Sequence, residues 1–98
     1  MPEGWYKAFG EQMIDELNNL LEKWCFVEQY QIIQIKEKFG ELRWYDNGIP
    51  QYMYEEYYKW LDKYKELSRN TCIVCGNKAT HMQKGWIVPL CNRCGNKI

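Results

Sequence analysis

The chain has 98 residues, which suits one domain or one small domain with a stapled appendage. Hydrophobic residues make up 46% and aromatics 16%, which argues against disorder and leaves five Trp and eight Tyr to bury or display. The formal net charge is +0 and no run approaches the roughly 18 apolar residues of a membrane helix, so neither a membrane span nor a strongly basic nucleic-acid binder is indicated.

Residues 9 to 25 are expected to form an amphipathic helix. Phe9, Met13, Leu17, Leu20, Leu21 and Trp24 recur at spacings of three and four, with acids early in the segment where the helix dipole favours them. Cys25, at its end, reads as a small buried hydrophobe. Residues 30–37 read as a strand because Tyr30, Ile32, Ile33 and Ile35 alternate with polar residues. Lys38-Phe39-Gly40-Glu41 is a turn in which Gly40 can take a positive φ, and Leu42 to Tyr45 form the return strand. A loop at residues 39 and 40 puts Ile35 opposite Trp44 on the core side and Lys36 opposite Arg43 on the other. That like-charge pair favours a different register; under the alternative, the two charges await an anion. Asp46-Asn47-Gly48 is a second turn, and Pro50 suits a helix start. Residues 51–68 are helical, with Met53, Tyr57, Trp60, Leu61, Tyr64 and Leu67 as the apolar stripe. Tyr52, Tyr54 and Tyr58 fall off that stripe, so some of them belong on the surface.

The last third carries Cys72-x2-Cys75, fifteen residues, then Cys91-x2-Cys94. Two residues between cysteines let both sulfurs face one ion from a tight turn, and two such turns supply the four ligands of a structural Zn²⁺. The halves repeat as Cys-Ile-Val-Cys-Gly-Asn-Lys and Cys-Asn-Arg-Cys-Gly-Asn-Lys, and a glycine after each second ligand lets the chain turn and brings amides near the thiolates. Residues 79–90 read as strand, turn, strand, a hairpin that returns one knuckle to the other. Iron in the same cage and short-loop disulfides are the alternatives. No apolar h-region follows Met1, so no signal peptide is expected; a cytoplasmic location with reduced cysteines follows, which disfavours the disulfides. His81 reads as a hairpin residue with a surface or packing role.

These elements give an α+β fold: an α-β-β-α unit over residues 1–69, two helices packed on a β-hairpin, followed by a zinc ribbon or short treble clef over residues 70–98. The first part has 9 Lys/Arg against 13 Asp/Glu, whereas the second has Lys78, Lys84, Arg93 and Lys97 and no acid. Four thiolates and one Zn²⁺ together carry two negative charges, so the loaded C-terminal unit is only mildly basic.

The run from Gln34 to Tyr45, together with the Gly4-Trp5 start and the cysteine pairs that follow, resembles small phage- and prophage-encoded proteins with a C-terminal zinc unit. The resemblance implies context rather than chemistry: an accessory protein that binds or inhibits a host protein, a defence-system component among them. The segment from Ala79 to Cys94 also looks like the hairpin of a treble clef, a unit shared with HNH nucleases. Those carry a further helix with catalytic residues, for which the four residues after Cys94 leave no room, and His81 is the single histidine.

Three functions are weighed. A non-catalytic protein-binding module explains the surplus aromatics, with Tyr54 and Tyr58 as contact candidates. Nucleic-acid binding by the zinc unit would use Lys78, Lys84, Arg93 and Lys97 on phosphates, with Trp86 or His81 stacking on bases. An enzyme is not expected, because a tetrathiolate zinc has no open position and no catalytic motif is present. Partner identity and oligomeric state are not written in the sequence.

Overall fold

The computed structural model describes residues 1–82 and 88–95. The chain runs as α1 (Glu3–Trp5), a π-helical turn (Tyr6–Gly10), α2 (Glu11–Lys23), β1 (Ile32–Lys38), β2 (Glu41–Asp46), a 3-10 turn (Gln51–Met53) and α3 (Tyr54–Arg69). The short elements β3 (His81–Met82), β4 (Pro89–Leu90) and α4 (Asn92–Gly95) follow. This is the α+β order expected, with the first helical segment starting six residues earlier than the apolar periodicity indicated.

The core lies between α2, α3 and the inner face of the hairpin. Trp5, Phe9, Met13, Leu17 and Leu21 pack from the N-terminal helical segment against Met53, Tyr57, Trp60, Leu61 and Tyr64, with Leu42 and Trp44 from β2. Trp60 ties the layers together: its ring meets Trp44 edge-on at 5.3 Å, and its indole N–H donates to the Met13 carbonyl at 3.0 Å. Tyr30, in the loop before β1 rather than in the strand, accepts a 2.7 Å hydrogen bond from Trp44 Nε1 and lies 2.8 Å from the Tyr57 hydroxyl. Tyr57 in turn donates to Asp46, so the open end of the hairpin is closed by a polar relay inside an aromatic shell.

Three local expectations are corrected: the hairpin register, Leu67 and Cys25. The hairpin does take the register that sets Ile35 opposite Trp44 and Lys36 opposite Arg43. Lys36 lies 5.5 Å from the Tyr45 ring centroid and Arg43 leans toward Glu41 at 3.7 Å, so each cation has its own relief and the repulsion does not shift the strands. Burial of Leu42 and Trp44 fixes the register instead, since a one-residue slip would turn both outward. Leu67 is exposed rather than core, and Ser68 takes its place facing β2, where the Ser68 Oγ accepts the Leu42 amide at 3.0 Å. Ile33 lies in β1 as expected and is exposed where the pairing is irregular between Ile32 and Gln34.

Cys25 is exposed, not buried. It has φ +54° and occupies the left-handed position that ends α2. The amide of Cys25 donates to Glu22 and that of Phe26 to Leu21, the paired bonds of a Schellman cap. That backbone geometry turns the thiol toward solvent while Phe26 packs back on the core.

Candidate metal centre

The first knuckle opens directly off α3. Thr71 Oγ1 donates to the Leu67 carbonyl at 2.7 Å, and Thr71 bridges to Lys78, so the chain leaves the helix already folded back. The Cys72 amide donates to Asn77 at 2.7 Å, and the Gly76 amide donates to the Cys72 carbonyl at 3.0 Å. Gly76 has φ +86°, as expected of the residue after the second ligand. Gly95 does the equivalent job differently: it closes the short helix α4 with a 2.8 Å bond to the Cys91 carbonyl. The second pair therefore sits at a helical turn rather than on a second knuckle.

The connecting hairpin exists where its ends are described. His81 pairs with Leu90 and Met82 with Pro89. The Ile73 amide donates to the Pro89 carbonyl at 3.1 Å, and that of Thr80 to Leu90 at 2.9 Å, so the first knuckle is bonded to the strand that leads into Cys91. Val88 and Leu90 are buried against the cysteines.

The four sulfurs all lie within 4.8 Å of one another. A tetrahedral ion with Zn–S bonds of about 2.3 Å separates its sulfurs by about 3.8 Å, so the set fits such an ion. Cys75 and Cys91 Sγ stand 3.5 Å apart, and none of the described cysteines is in a disulfide. Burial opposes the Cys72 thiolate, yet the amides of Cys75, Cys91 and Val74 outweigh it and lower the thiol pKa to about 6. The Cys94 amide, 3.4 Å from Cys91 Sγ, lowers Cys91 as well. Cys94 goes the other way, pushed up to about 12 by burial and then by its three sulfur neighbours. Amides aimed at two thiolates and mutual repulsion among four sulfurs suit this cluster to holding a cation.

This centre is anchored on the N-terminal helical segment, which the spacing of cysteines did not foretell. The Gly4 amide donates to the Ile73 carbonyl at 2.9 Å, and the buried Trp5 indole donates to Thr71 at 2.9 Å. A Cβ on Gly76 would lie 2.7 Å from the Gly4 carbonyl, so the knuckle and the first helical turn touch backbone to backbone. The available signal was Gly4 inside the first helical turn, where glycine weakens a helix unless a close backbone approach requires it.

The other singled-out residues are dispersed. Tyr54 and Tyr58 are exposed on the first turns of α3, with their rings 5.6 Å apart. A helix of sixteen residues, about 24 Å long, separates that end from the cysteines. Arg93 and Lys78 are exposed on the cysteine unit. His81 is placed by its backbone in β3, while Lys84 and Trp86 lie outside the described residues. Among the described residues no helix is long and apolar enough to cross a membrane. Comparison with family models, curated proteins and solved structures finds no match to this chain.

Proposed function

We propose that this chain is a small zinc-stapled module that works by binding another protein and carries out no chemistry of its own. The observation that carries the reading is the tyrosine ledge at the start of α3, where Tyr52, Tyr54 and Tyr58 are 60%, 46% and 47% exposed. Tyr52 packs at a tilt on Trp24, with ring centroids 5.4 Å apart, and Tyr58 packs edge-on against the buried Tyr57, so the rings are held rather than loose. Rigid, amphipathic rings bury large area at low entropic cost and are favoured in protein interfaces.

The metal is proposed to be one zinc per chain, held by Cys72, Cys75, Cys91 and Cys94 in a folding role. Four thiolates leave no coordination position for water or substrate, which supports a structural ion over a catalytic one. The parts 1–69 and 70–98 act as one compact body in this reading, supported by the bonds of Gly4 and Trp5 to the knuckle. The resemblance to phage accessory proteins supports a bacterial host protein, in the cytoplasm, as the partner.

The test is quantitative capture from bacterial extract by the zinc-loaded chain, compared with a variant carrying Tyr54→Ser and Tyr58→Ser. A protein retained by the native chain and lost by the variant is expected. An identical set retained by both would sink the ledge as the contact surface.

A further inference from the structure

The outward face of the hairpin is chemically unlike the rest of the acidic N-terminal part. Leu42 and Trp44 turn inward, so Glu41, Arg43 and Tyr45 turn outward. Cross-strand pairing brings Lys38, Lys36 and Gln34 beside them on the same face. The acid on this face is already engaged: the Glu41 carboxylate pairs with Arg69, which also pairs with Glu66. Counting Lys36, Lys38, Arg43 and Arg69 against Glu41 and Glu66 leaves two positive charges. Arg43 is also under-satisfied, since Glu41 stands at 3.7 Å and the buried Arg43 Nε has no hydrogen-bond partner among the described residues.

Rings alternate with these cations. Tyr45 lies across the face with Lys36 Nζ 5.5 Å from its centroid, and Phe39 stands at the tip with Lys38 Nζ at 5.7 Å. Phe39 is 67% exposed and holds φ +54°, a conformation bulky residues rarely adopt. A turn there would suit Asn or Gly better, so the ring is displayed at the expense of the backbone.

We propose that this face of β1 and β2 is a binding surface for single-stranded nucleic acid. Lys36, Lys38 and Arg43 would contact successive phosphates, and Phe39 and Tyr45 would stack on bases. An anion between Lys36 and Arg43 would add to the partial relief that the Tyr45 ring and Glu41 give these two directly opposed cations. A ring beside each of the two lysines matches a ligand that repeats a π-face beside each charge, which an unstructured acidic peptide does not offer and a duplex hides inside its stack. The surface is separate from the tyrosine ledge, so either assignment stands or falls without the other.

The test is fluorescence anisotropy of the zinc-loaded full chain with labelled oligo-dT, and with RNA of the same length, about twelve nucleotides. Two or three phosphate contacts predict a log–log salt slope of about −1.5 to −2. Lys36→Glu with Lys38→Glu should weaken binding about tenfold or more at low salt, because both side chains are exposed and the fold does not depend on them. Phe39→Gly should weaken it about fivefold while leaving the melting temperature unchanged or higher, which separates lost stacking from lost folding. Absence of binding at about 50 mM salt overturns the proposal, as does affinity that survives the double charge reversal. Equal competition by polyglutamate, with no effect of Phe39→Gly, would make the face a plain anion exchanger. Loss on Arg93→Glu in place of the hairpin variants would move the site to the cysteine unit and equally overturn it.

Discussion

Gly4 and Cys72 approach so closely that a Cβ on Gly4 would collide with the Cys72 carbonyl oxygen. The Ile73 carbonyl crowds the same point, with its carbon at 2.6 Å and its oxygen at 2.7 Å from that Cβ. Both obstacles are main chain, so no side chain can swing aside. Gly4→Ala is therefore expected to destabilise the protein by roughly 2 kcal/mol through overpacking. It should also make the metal easier to strip, since the obstacle is the backbone of a ligand. The exposed neighbour Glu3→Ala should change stability by less than about 0.5 kcal/mol. Chemical denaturation and competition with a chromophoric chelator measure the two effects; equal behaviour of the two variants would contradict the contact.

Metal removal should be felt beyond the cysteines. Structural zinc contributes free energy to folding on the order of 10 kcal/mol, and the knuckle shares hydrogen bonds with α1. In chelator, the amides of Gly4, Ile73, Gly76 and Ala79 should lose hydrogen-exchange protection together. The amides of α3 should keep theirs, because that helix is bonded to the hairpin and α2 through Ser68, Trp60 and Tyr57. Retained protection at Gly4 without metal would show that the helix does not depend on the site.

The sequence carried the element order and the metal set plainly, because both rest on short-range spacing. Apolar residues three and four apart marked α2 and α3, and paired cysteines marked the knuckles. What stayed hidden depends on contacts distant in the chain. Nothing local says that Gly4 meets Cys72, or that Ser68 rather than Leu67 faces β2. The Lys36–Arg43 repulsion taken alone points to the wrong register, because the Tyr45 ring and Glu41 relieve it only once both strands are in place. At Cys25 residue type favours burial, but a left-handed cap position overrides it.

Ser68 is a small polar residue with a defined role in the core. Its hydroxyl accepts the Leu42 amide at 3.0 Å and donates to the Lys65 carbonyl at 2.6 Å. Ser68→Ala leaves the Leu42 amide buried without a partner and should cost about 1–3 kcal/mol. Ser68→Cys, a weaker partner at similar volume, should fall between. Urea unfolding checks the series, and a neutral Ser68→Ala would mean that water reaches the Leu42 amide.

Glu16 and Tyr64 shape the pH dependence in opposite directions. Burial pushes the Glu16 carboxyl up, but hydrogen bonds from Lys63 and Tyr64 outweigh it and hold it below its ordinary value of 4.5. A depressed carboxyl stabilises the fold above its unfolded pKa, and that contribution drains away as pH falls through the folded value. Burial, then the Glu16 carboxylate, raises the Tyr64 phenol above its ordinary 10.0. Its contribution is complete below about pH 10 and is lost as pH rises through the raised value. Glu16→Gln should flatten the acid limb of a melting-temperature profile, and Tyr64→Phe the alkaline limb. An unchanged acid limb in Glu16→Gln would assign acid unfolding to other carboxylates.

Cys25 and Phe39 both hold φ +54°, one at a helix cap and one in a hairpin turn where the next residue, Gly40, has φ +79°. Two successive positive φ values are those of a type I′ turn, which favours Asn-Gly over Phe-Gly. A left-handed L-residue costs roughly 1–2 kcal/mol relative to glycine, and glycine returns about half of that through the greater freedom of the unfolded chain. Cys25→Gly and Phe39→Gly should each gain about 0.5–1 kcal/mol, additively because the sites share no partner. The exposed Lys59→Gly, in the interior of α3, should instead lose about 1 kcal/mol and serves as the contrast. A stability loss at Phe39 would mean that the displayed ring is packed in solution, and would remove the reason for reading its exposure as functional.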